Sequence, residues 1–237
     1  MVSDPFLHEL SDFDELIQVV SGEYEIAPQL VEKDYWIMQC LFGLTSQGFS
    51  FQLKGGTSLS KGYNIIDRFS EDIDIQIDPP EGMDVKCGKN HVKDPHIESR
   101  RKFFEWLVGE IKIPGIDGVE IDPVYSDRTK CRTIGIRLKY PSRLGSLKGI
   151  KDGVLLEVGF DDVEPNDPVD ISSWLMTKHV RRGFDLLTTL HMALNVIDRG
   201  TLLLRSSRLY PLNFGNSKTK VISRKIFCGI TTIYIAC

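Results

Sequence analysis

The stretch that decides the fold runs from Lys54 to Ile77 and reads KGGTSLSKGYNIIDRFSEDIDIQI. Its last six residues, DIDIQI, alternate polar with apolar side chains, which is typical of a β-strand with one buried face. Asp72 and Asp74 therefore share one face of this strand. The residues Gly55-Gly56-Thr57-Ser58 combine bare backbone with two hydroxyls that are favoured at the start of a helix. The stretch predicts a short helix followed by a strand that presents two carboxylates on one side.

The sequence on either side of this stretch predicts helices first and strands later. Two helical patterns come before it, in SDFDELIQVVSGEYEI and APQLVEKDYWIMQCLFGLTSQG. FSFQLKGG predicts a strand before the motif, HIESRRKFFEWLVGEI a helix after it, and CRTIGIRLKY and GVLLEVGF two further strands. This order predicts an α+β fold, with a mixed β-sheet and flanking helices. We expect an N-terminal helical segment at residues 1–48, a core at 49–174 and a C-terminal region at 175–237.

The overall composition is that of an ordinary globular protein. Of 237 residues, 41% are hydrophobic and 26% are charged, with a net charge of -4, which argues against disorder of the whole chain. No apolar run approaches the roughly 20 residues of a membrane helix, and MVSDPFLHEL lacks the basic flank and apolar stretch of a signal peptide. The five cysteines are scattered without a C-x-x-C pair, so they indicate neither a disulfide framework nor a zinc site. We expect a cytoplasmic protein that does not bind a membrane.

Glu157 adds a third carboxylate, in the predicted strand GVLLEVGF. An acid among leucines and valines is costly to bury unless a cation meets it. Asp72, Asp74 and Glu157 together have the composition of a hard-cation site, because Mg²⁺ or Mn²⁺ binds to a few carboxylates together with substrate phosphates. The alternative is that all three are solvated acids at a sheet edge, since a short D-x-D pattern often recurs by accident.

The glycines upstream favour the metal site over solvated acids. Backbone amides at Gly55 and Gly56 could approach a phosphate closely, and the start of the following helix would add unpaired N–H donors. Phosphate and metal sites on one short unit are what nucleotidyl transfer needs, because the metal ions flank the α-phosphorus. A P-loop fails on spacing: it requires G-x-x-x-x-G-K-[ST], whereas Lys61 follows Ser60 and precedes Gly62.

LKGGTSLSKGYNIIDRFSEDIDI, followed by GVLLEVGF, resembles the AbiEii/AbiGii toxin family of nucleotidyltransferases, within the DNA polymerase β-like superfamily. The resemblance covers about residues 30 to 174 and implies that the core at 49–174 is a nucleotidyltransferase. It implies that Asp72 and Asp74 hold the metals, while Glu157, as the third acid, helps to bind them and orients the acceptor hydroxyl or acts as a base. It further implies a nucleotide-binding set: Lys54, Gly55, Gly56, Thr57, Ser58, Arg68 and Ser70.

Two parts of the resemblance keep alternatives. Arg68 and Ser70 fall inside the matching motif, but a turn arginine and a strand cap are the ordinary roles of such residues. VEKDYW resembles the family's N-terminal helix, and its Lys33 is within possible reach of the site, although a solvated helix face is the expected role.

The resemblance implies a function as well as a fold. We expect Mg²⁺-dependent transfer of a nucleotide monophosphate from an NTP to a hydroxyl acceptor, with tRNA or another RNA as the acceptor. The family context implies a toxin of a type IV toxin–antitoxin or phage-defence pair, with a cognate antitoxin as partner. The alternatives are a catalytically inactive nucleotide-binding remnant and an antibiotic-modifying nucleotidyltransferase, because fold and motif fix the donor chemistry better than the acceptor.

The C-terminal region departs from the family pattern. Residues 175–237 hold ten Lys or Arg and only two acids, which could indicate a nucleic-acid footprint. The family's "EKL" and "RHYYDI" segments are absent, but a reading frame shifted by one nucleotide can encode similar segments. We therefore expect a frameshift between Trp174 and Thr201, which places the lost lysine at Ser206 and the lost aspartate at Ile233. An intact open frame across codons 170 to 237 would contradict this expectation.

Overall fold

In the computed structural model, the chain is described over residues 5–145, 147–161, 166–181 and 231–236. The helices of this part are α1 (Phe13–Tyr24), α2 (Pro28–Ser46), α3 (Gly55–Thr57), α4 (Asp94–Glu110) and α5 (Trp174–Arg181). A π-helical turn, Ser58–Gly62, continues α3. The predicted helix before the motif ends near Gly48, whose positive φ of 82° suits a glycine after a helix. None of the described helices is both long and apolar enough to cross a membrane.

The described strands form one mixed sheet. They are β1 (Phe51–Lys54), β2 (Asp72–Ile77), β3 (Gly118–Asp122), β4 (Thr133–Lys139), β5 (Val154–Gly159), β6 (Asn166–Ile171) and β7 (Thr231–Ala236). Their order across the sheet is β3-β4-β5-β2-β1-β7-β6. Helices together with this mixed sheet confirm the predicted α+β fold.

Strand β2 lies near the middle of the sheet and fixes the position of the acids. It pairs antiparallel with β1, so that Lys54 lies opposite Asp74. On its other side it pairs in parallel with β5, and this register places Glu157 beside Asp74. Ile73, Ile75 and Ile77 are buried, which confirms the two faces predicted from the alternation of DIDIQI.

Three strands were not predicted from the sequence. Strand β3 shows no alternation of buried and exposed side chains, so its sequence carries little strand signal. Strand β6 contains Pro168, which a sheet tolerates at its edge, and β6 does lie at one end of the strand order. Strand β7 pairs between β1 and β6, and Ile233 is the register partner of Val169.

The core joins the N-terminal helices to the sheet. Helix α2 buries Val31, Trp36 and Leu44 in the same apolar cluster as the β2 isoleucines. Helix α5 packs on α1 and α2, and its Leu175 is fully buried. Helix α5 thus packs against the N-terminal helices directly after residue 174, and the domain boundary expected there stays a prediction.

Candidate active site

The helical turn after β1 begins at Gly55, two residues before the first of its hydroxyl residues, Thr57. Lys54 is the residue before the turn, and Thr57 and Ser58 lie inside it. The prediction that Thr57 and Ser58 cap the helix is wrong, because the Thr57 hydroxyl donates to the Asp72 carbonyl at 2.6 Å and the Ser58 hydroxyl to the Gly55 carbonyl at 2.8 Å. Both side chains are buried. Their hydroxyls therefore tie the turn to β2 and to itself.

The two glycines lie where side chains would block the site. Gly55 has a φ of 69°, and a Cβ there would collide with the carboxylate of Asp74. A Cβ at Gly56 would lie 2.7 Å from the Ser70 hydroxyl and 3.6 Å from the Arg68 guanidinium. The fold thus brings together the glycine turn, Asp74 on β2 and the segment from Arg68 to Ser70, as the motif predicted.

The three carboxylates meet on one face of the sheet. Asp74 and Glu157 are register partners, and Asp72 lies two residues from Asp74 on the same strand face. Burial, together with the neighbouring charge of Asp72, raises the pKa of Asp74 above its ordinary value, although Lys54 and Lys151 oppose this. Burial, together with Asp74 and Asp72, likewise raises the pKa of Glu157. Burial is the main cause of both shifts; the neighbouring acids raise the pKa of Glu157 further, whereas at Asp74 the attraction of Lys54 is larger than the repulsion of Asp72.

The oxygens of Asp72 are in different environments. Oδ2 accepts a hydrogen bond from the Lys151 ammonium at 2.5 Å, whereas Oδ1 is buried without a hydrogen-bond partner. An unpartnered buried carboxylate oxygen is costly, and a hard cation would remove that cost. The oxygen-only donor set fits Mg²⁺ or Mn²⁺, although no group of three or more His, Cys, Asp or Glu in the described ranges is arranged closely enough to form a finished metal site.

Two cations of the predicted nucleotide-binding set border the acids. Lys54 acts on the charges of both Asp74 and Glu157, and its Nζ would lie 3.8 Å from a Cβ at Gly159. Arg68 is exposed beside Gly56. Within the described part of the chain, neither side chain forms a hydrogen bond or a salt bridge. Both are therefore available to an anionic ligand.

Sequence reasoning missed the network that supports β2 from helix α2. Lys33 has a side chain only 1% exposed, and its Nζ donates to Glu71 at 3.1 Å and to the Lys151 carbonyl at 2.6 Å. The expectation of a solvated face for Lys33 is wrong, because helix α2 is buried on nearly all sides, its charged residues included. Glu71 also accepts from the Lys151 N–H at 2.9 Å. Lys33 thus fixes the residue that bonds to Asp72.

Asp34, the next residue of α2, supports the other half of the site. Its carboxylate lies 2.6 Å from the Lys61 ammonium, at the end of the π-helical turn, and accepts from the Trp174 N–H at 2.8 Å. The Lys61 ammonium also lies 4.4 Å from the centroid of the Trp174 ring. The segment VEKDYW carried a signal for Lys33 and Asp34, because its consecutive charges occur in a helix with no polar face.

The C-terminal predictions fall largely outside the described residues. Ser206, the expected position of the lost lysine, lies outside the described residues. Ile233, the expected position of the lost aspartate, lies in β7. The frameshift between Trp174 and Thr201 stays a prediction.

Part of the chain matches a protein-family model. The family model described as "Nucleotidyl transferase AbiEii toxin, Type IV TA system" matches residues 36–189. This range contains the glycine turn, the three carboxylates and Lys151. No curated protein and no solved structure matches the chain.

Proposed function

The chain belongs to the AbiEii family of nucleotidyl transferase toxins of type IV toxin–antitoxin systems, since the family model matches well over half of it, and we propose that it transfers a nucleotide monophosphate from an NTP to a hydroxyl of tRNA or another RNA. The observation that carries the proposal is the carboxylate cluster. Asp74 and Glu157 are register partners, and Asp72 has a buried oxygen without a partner. We further propose that the toxin acts in the cytoplasm, in phage defence, with a cognate antitoxin.

The residues divide the chemistry between them. Asp72 and Asp74, with Glu157, would hold Mg²⁺ or Mn²⁺, which supplies Lewis-acid stabilisation of charge at the α-phosphate when bound. The backbone at Gly55 and Gly56 approaches the site without side chains in the way, which suits a triphosphate.

The transfer itself is an in-line displacement. The acceptor hydroxyl oxygen forms a bond to the α-phosphorus, the bond from that phosphorus to pyrophosphate breaks, and pyrophosphate leaves with the electron pair. The hydroxyl proton passes to Glu157.

A direct assay tests the proposal. The full chain is incubated with each α-labelled NTP, Mg²⁺ or Mn²⁺ and bulk tRNA, and label in RNA is measured. We expect one or more NTPs to label RNA, and Asp74→Asn to lower the rate by about 10²- to 10³-fold, the range seen when one electrostatic stabiliser is removed.

The controls separate the alternatives. Glu98→Gln, at an exposed residue of α4, should keep the wild-type rate. Nucleotide binding without transfer by the wild-type chain would contradict the proposal in favour of an inactive remnant. Label on aminoglycosides instead of RNA would contradict it in favour of an antibiotic-modifying enzyme.

A further inference from the structure

Lys151 has a fixed backbone and a side chain that reaches the acids. Its N–H donates to Glu71 at 2.9 Å, and its carbonyl accepts from Lys33 at 2.6 Å. Its Nζ bonds to Asp72 at 2.5 Å and lies 4.7 Å from the centroid of the Tyr125 ring. Two backbone hydrogen bonds thus fix the position of this residue in the loop between β4 and β5.

The support behind Lys151 comes from the protein interior. Lys33 is almost fully buried, and burying an ammonium requires a well-matched partner. Its hydrogen bond to the Lys151 carbonyl holds the loop directly, and its bond to Glu71 holds the carboxylate that accepts from the Lys151 N–H. This arrangement fixes the origin of the Lys151 side chain relative to Asp72.

The Lys151 ammonium nevertheless has room to move. Its side chain is 28% exposed, and it borders an open cleft together with Arg137, Lys139, Tyr140, Asp152 and Gly153. Lysine carries its charge on a flexible four-carbon chain. The ammonium can therefore leave Asp72 while the backbone stays in place.

The contact with Asp72 uses a carboxylate that the reaction needs. A divalent cation on Asp72 would repel the neighbouring ammonium, because like charges in a partly buried site interact strongly. The ammonium then needs another anion within its reach. A bound nucleotide brings phosphates to the same carboxylates.

We propose that Lys151 is a phosphate-binding residue of the nucleotide site, which pairs with Asp72 in the empty enzyme and moves to the triphosphate when metal and nucleotide bind. This inference rests on the proposed function. It gives the site a lysine that is positioned by Lys33 and Glu71.

Binding measurements on the full chain test the role of Lys151. Mn²⁺ alone is titrated and followed by electron paramagnetic resonance, and non-hydrolysable α,β-methylene NTPs with Mn²⁺ are titrated by calorimetry. For Lys151→Met we expect tighter binding of Mn²⁺ alone, because a competing ammonium is gone. We expect weaker binding of the nucleotide by about tenfold or more, as the loss of a charged hydrogen-bond donor gives.

Two further variants make the test specific. Lys139→Met removes an ammonium from the same cleft that is paired with Glu120 and about half exposed, and it should change neither affinity. Lys151→Arg should retain most of the nucleotide affinity. Thermal melts of each variant verify the fold, and Lys151→Gln replaces Lys151→Met if the latter does not fold.

The outcomes distinguish this inference from the proposed function. If wild-type chain binds nucleotide and Lys151→Met binds it equally or more tightly, Lys151 is only a counter-ion and the inference is overturned. If wild-type chain binds no nucleotide, the proposed function is overturned, and the role of Lys151 with it.

Discussion

Helix α2 and strand β2 each carry acids into the interior, but the two regions differ in how those acids are paired. Glu32 and Asp34 on α2 are about 1% exposed. Glu32 accepts from the Ser142 hydroxyl and the Arg143 N–H. Asp34 accepts from the Trp174 N–H through Oδ2, and its Oδ1 has no hydrogen bond but forms an ion pair with the Lys61 ammonium at 2.6 Å. Within the described residues, Asp74 on β2 forms no hydrogen bond or ion pair, and Asp72 has one oxygen without a partner.

The difference separates acids that build the fold from acids kept for a ligand. A fully buried charge is tolerated when hydrogen bonds and an opposite charge surround it. The acids on β2 keep some contact with water, but within the described residues they have fewer protein partners: Asp74 has none, and Asp72 Oδ1 is buried with neither a hydrogen bond nor an ion pair. Burial by itself would have pointed to α2 as the functional region, whereas the missing partners point to β2.

The largest effect on stability should come from breaking a pair on α2. Lys61→Met would leave the Asp34 carboxylate buried with only the Trp174 N–H as a partner. Because burial already raises the pKa of Asp34, losing Lys61 should force it to take up a proton or to unfold the turn. We expect the free energy of unfolding to fall by about 3 kcal/mol, the lower part of the range for broken buried pairs, because Lys61 is itself partly exposed. Urea denaturation measures it.

Two further variants test whether that loss of stability comes from the unpaired carboxylate of Asp34. Lys61→Arg keeps a cation near Asp34 and should recover much of the stability. The double variant Lys61→Met with Asp34→Leu should be more stable than Lys61→Met alone, because no unpaired charge stays buried. Additive losses would show that the two residues do not interact, which would contradict the comparison.

The sequence predicted the acids on β2 well and their support poorly. DIDIQI and GVLLEVGF are local patterns, so the strands and the shared face of Asp72 and Asp74 follow from side-chain alternation. The bond from Lys33 to the Lys151 carbonyl joins residues 118 positions apart, and no local pattern encodes it. Strand β6 was missed for a different reason, since Pro168 is compatible with a strand only at a sheet edge, which a sequence does not reveal.

A smaller effect should appear in the pH dependence of stability when Asp74 is changed. The folded state raises the pKa of Asp74 and of Glu157, so it binds their protons more tightly than the unfolded chain does. Their favourable contribution is complete below about pH 4, where the unfolded carboxyls are protonated, and is lost as the pH rises through the folded-state pKa values. At neutral pH, the charged carboxylates of Asp74 and Glu157 should therefore lower the free energy of unfolding of the wild-type chain.

Asp74→Asn removes one of these acids and relieves the other. In metal-free buffer with EDTA, we expect the variant to be no more stable than wild type near pH 4 and to gain relative stability as the pH rises to 7. The gain should be smaller than the loss in Lys61→Met, because Asp74 and Glu157 keep part of their contact with water. Thermal melts across this pH range measure it. A difference that stays constant with pH would show that the acids on β2 are as well satisfied as those on α2.

The smallest effect should come from a surface pair with the same geometry as the buried one. Arg101 and Glu98 on α4 lie 2.6 Å apart, as do Lys61 and Asp34, but their side chains are 48% and 45% exposed. Water solvates each charge when its partner is lost, so Arg101→Ala should change the free energy of unfolding by no more than about 0.5 kcal/mol. Urea denaturation of Arg101→Ala and of Lys61→Met compares two ion pairs that have the same distance but different burial. A loss from Arg101→Ala as large as that from Lys61→Met would mean that contact distance sets the strength of these pairs. A several-fold smaller loss would mean that exclusion of water does, which is the same property that makes the unpaired oxygen of Asp72 significant.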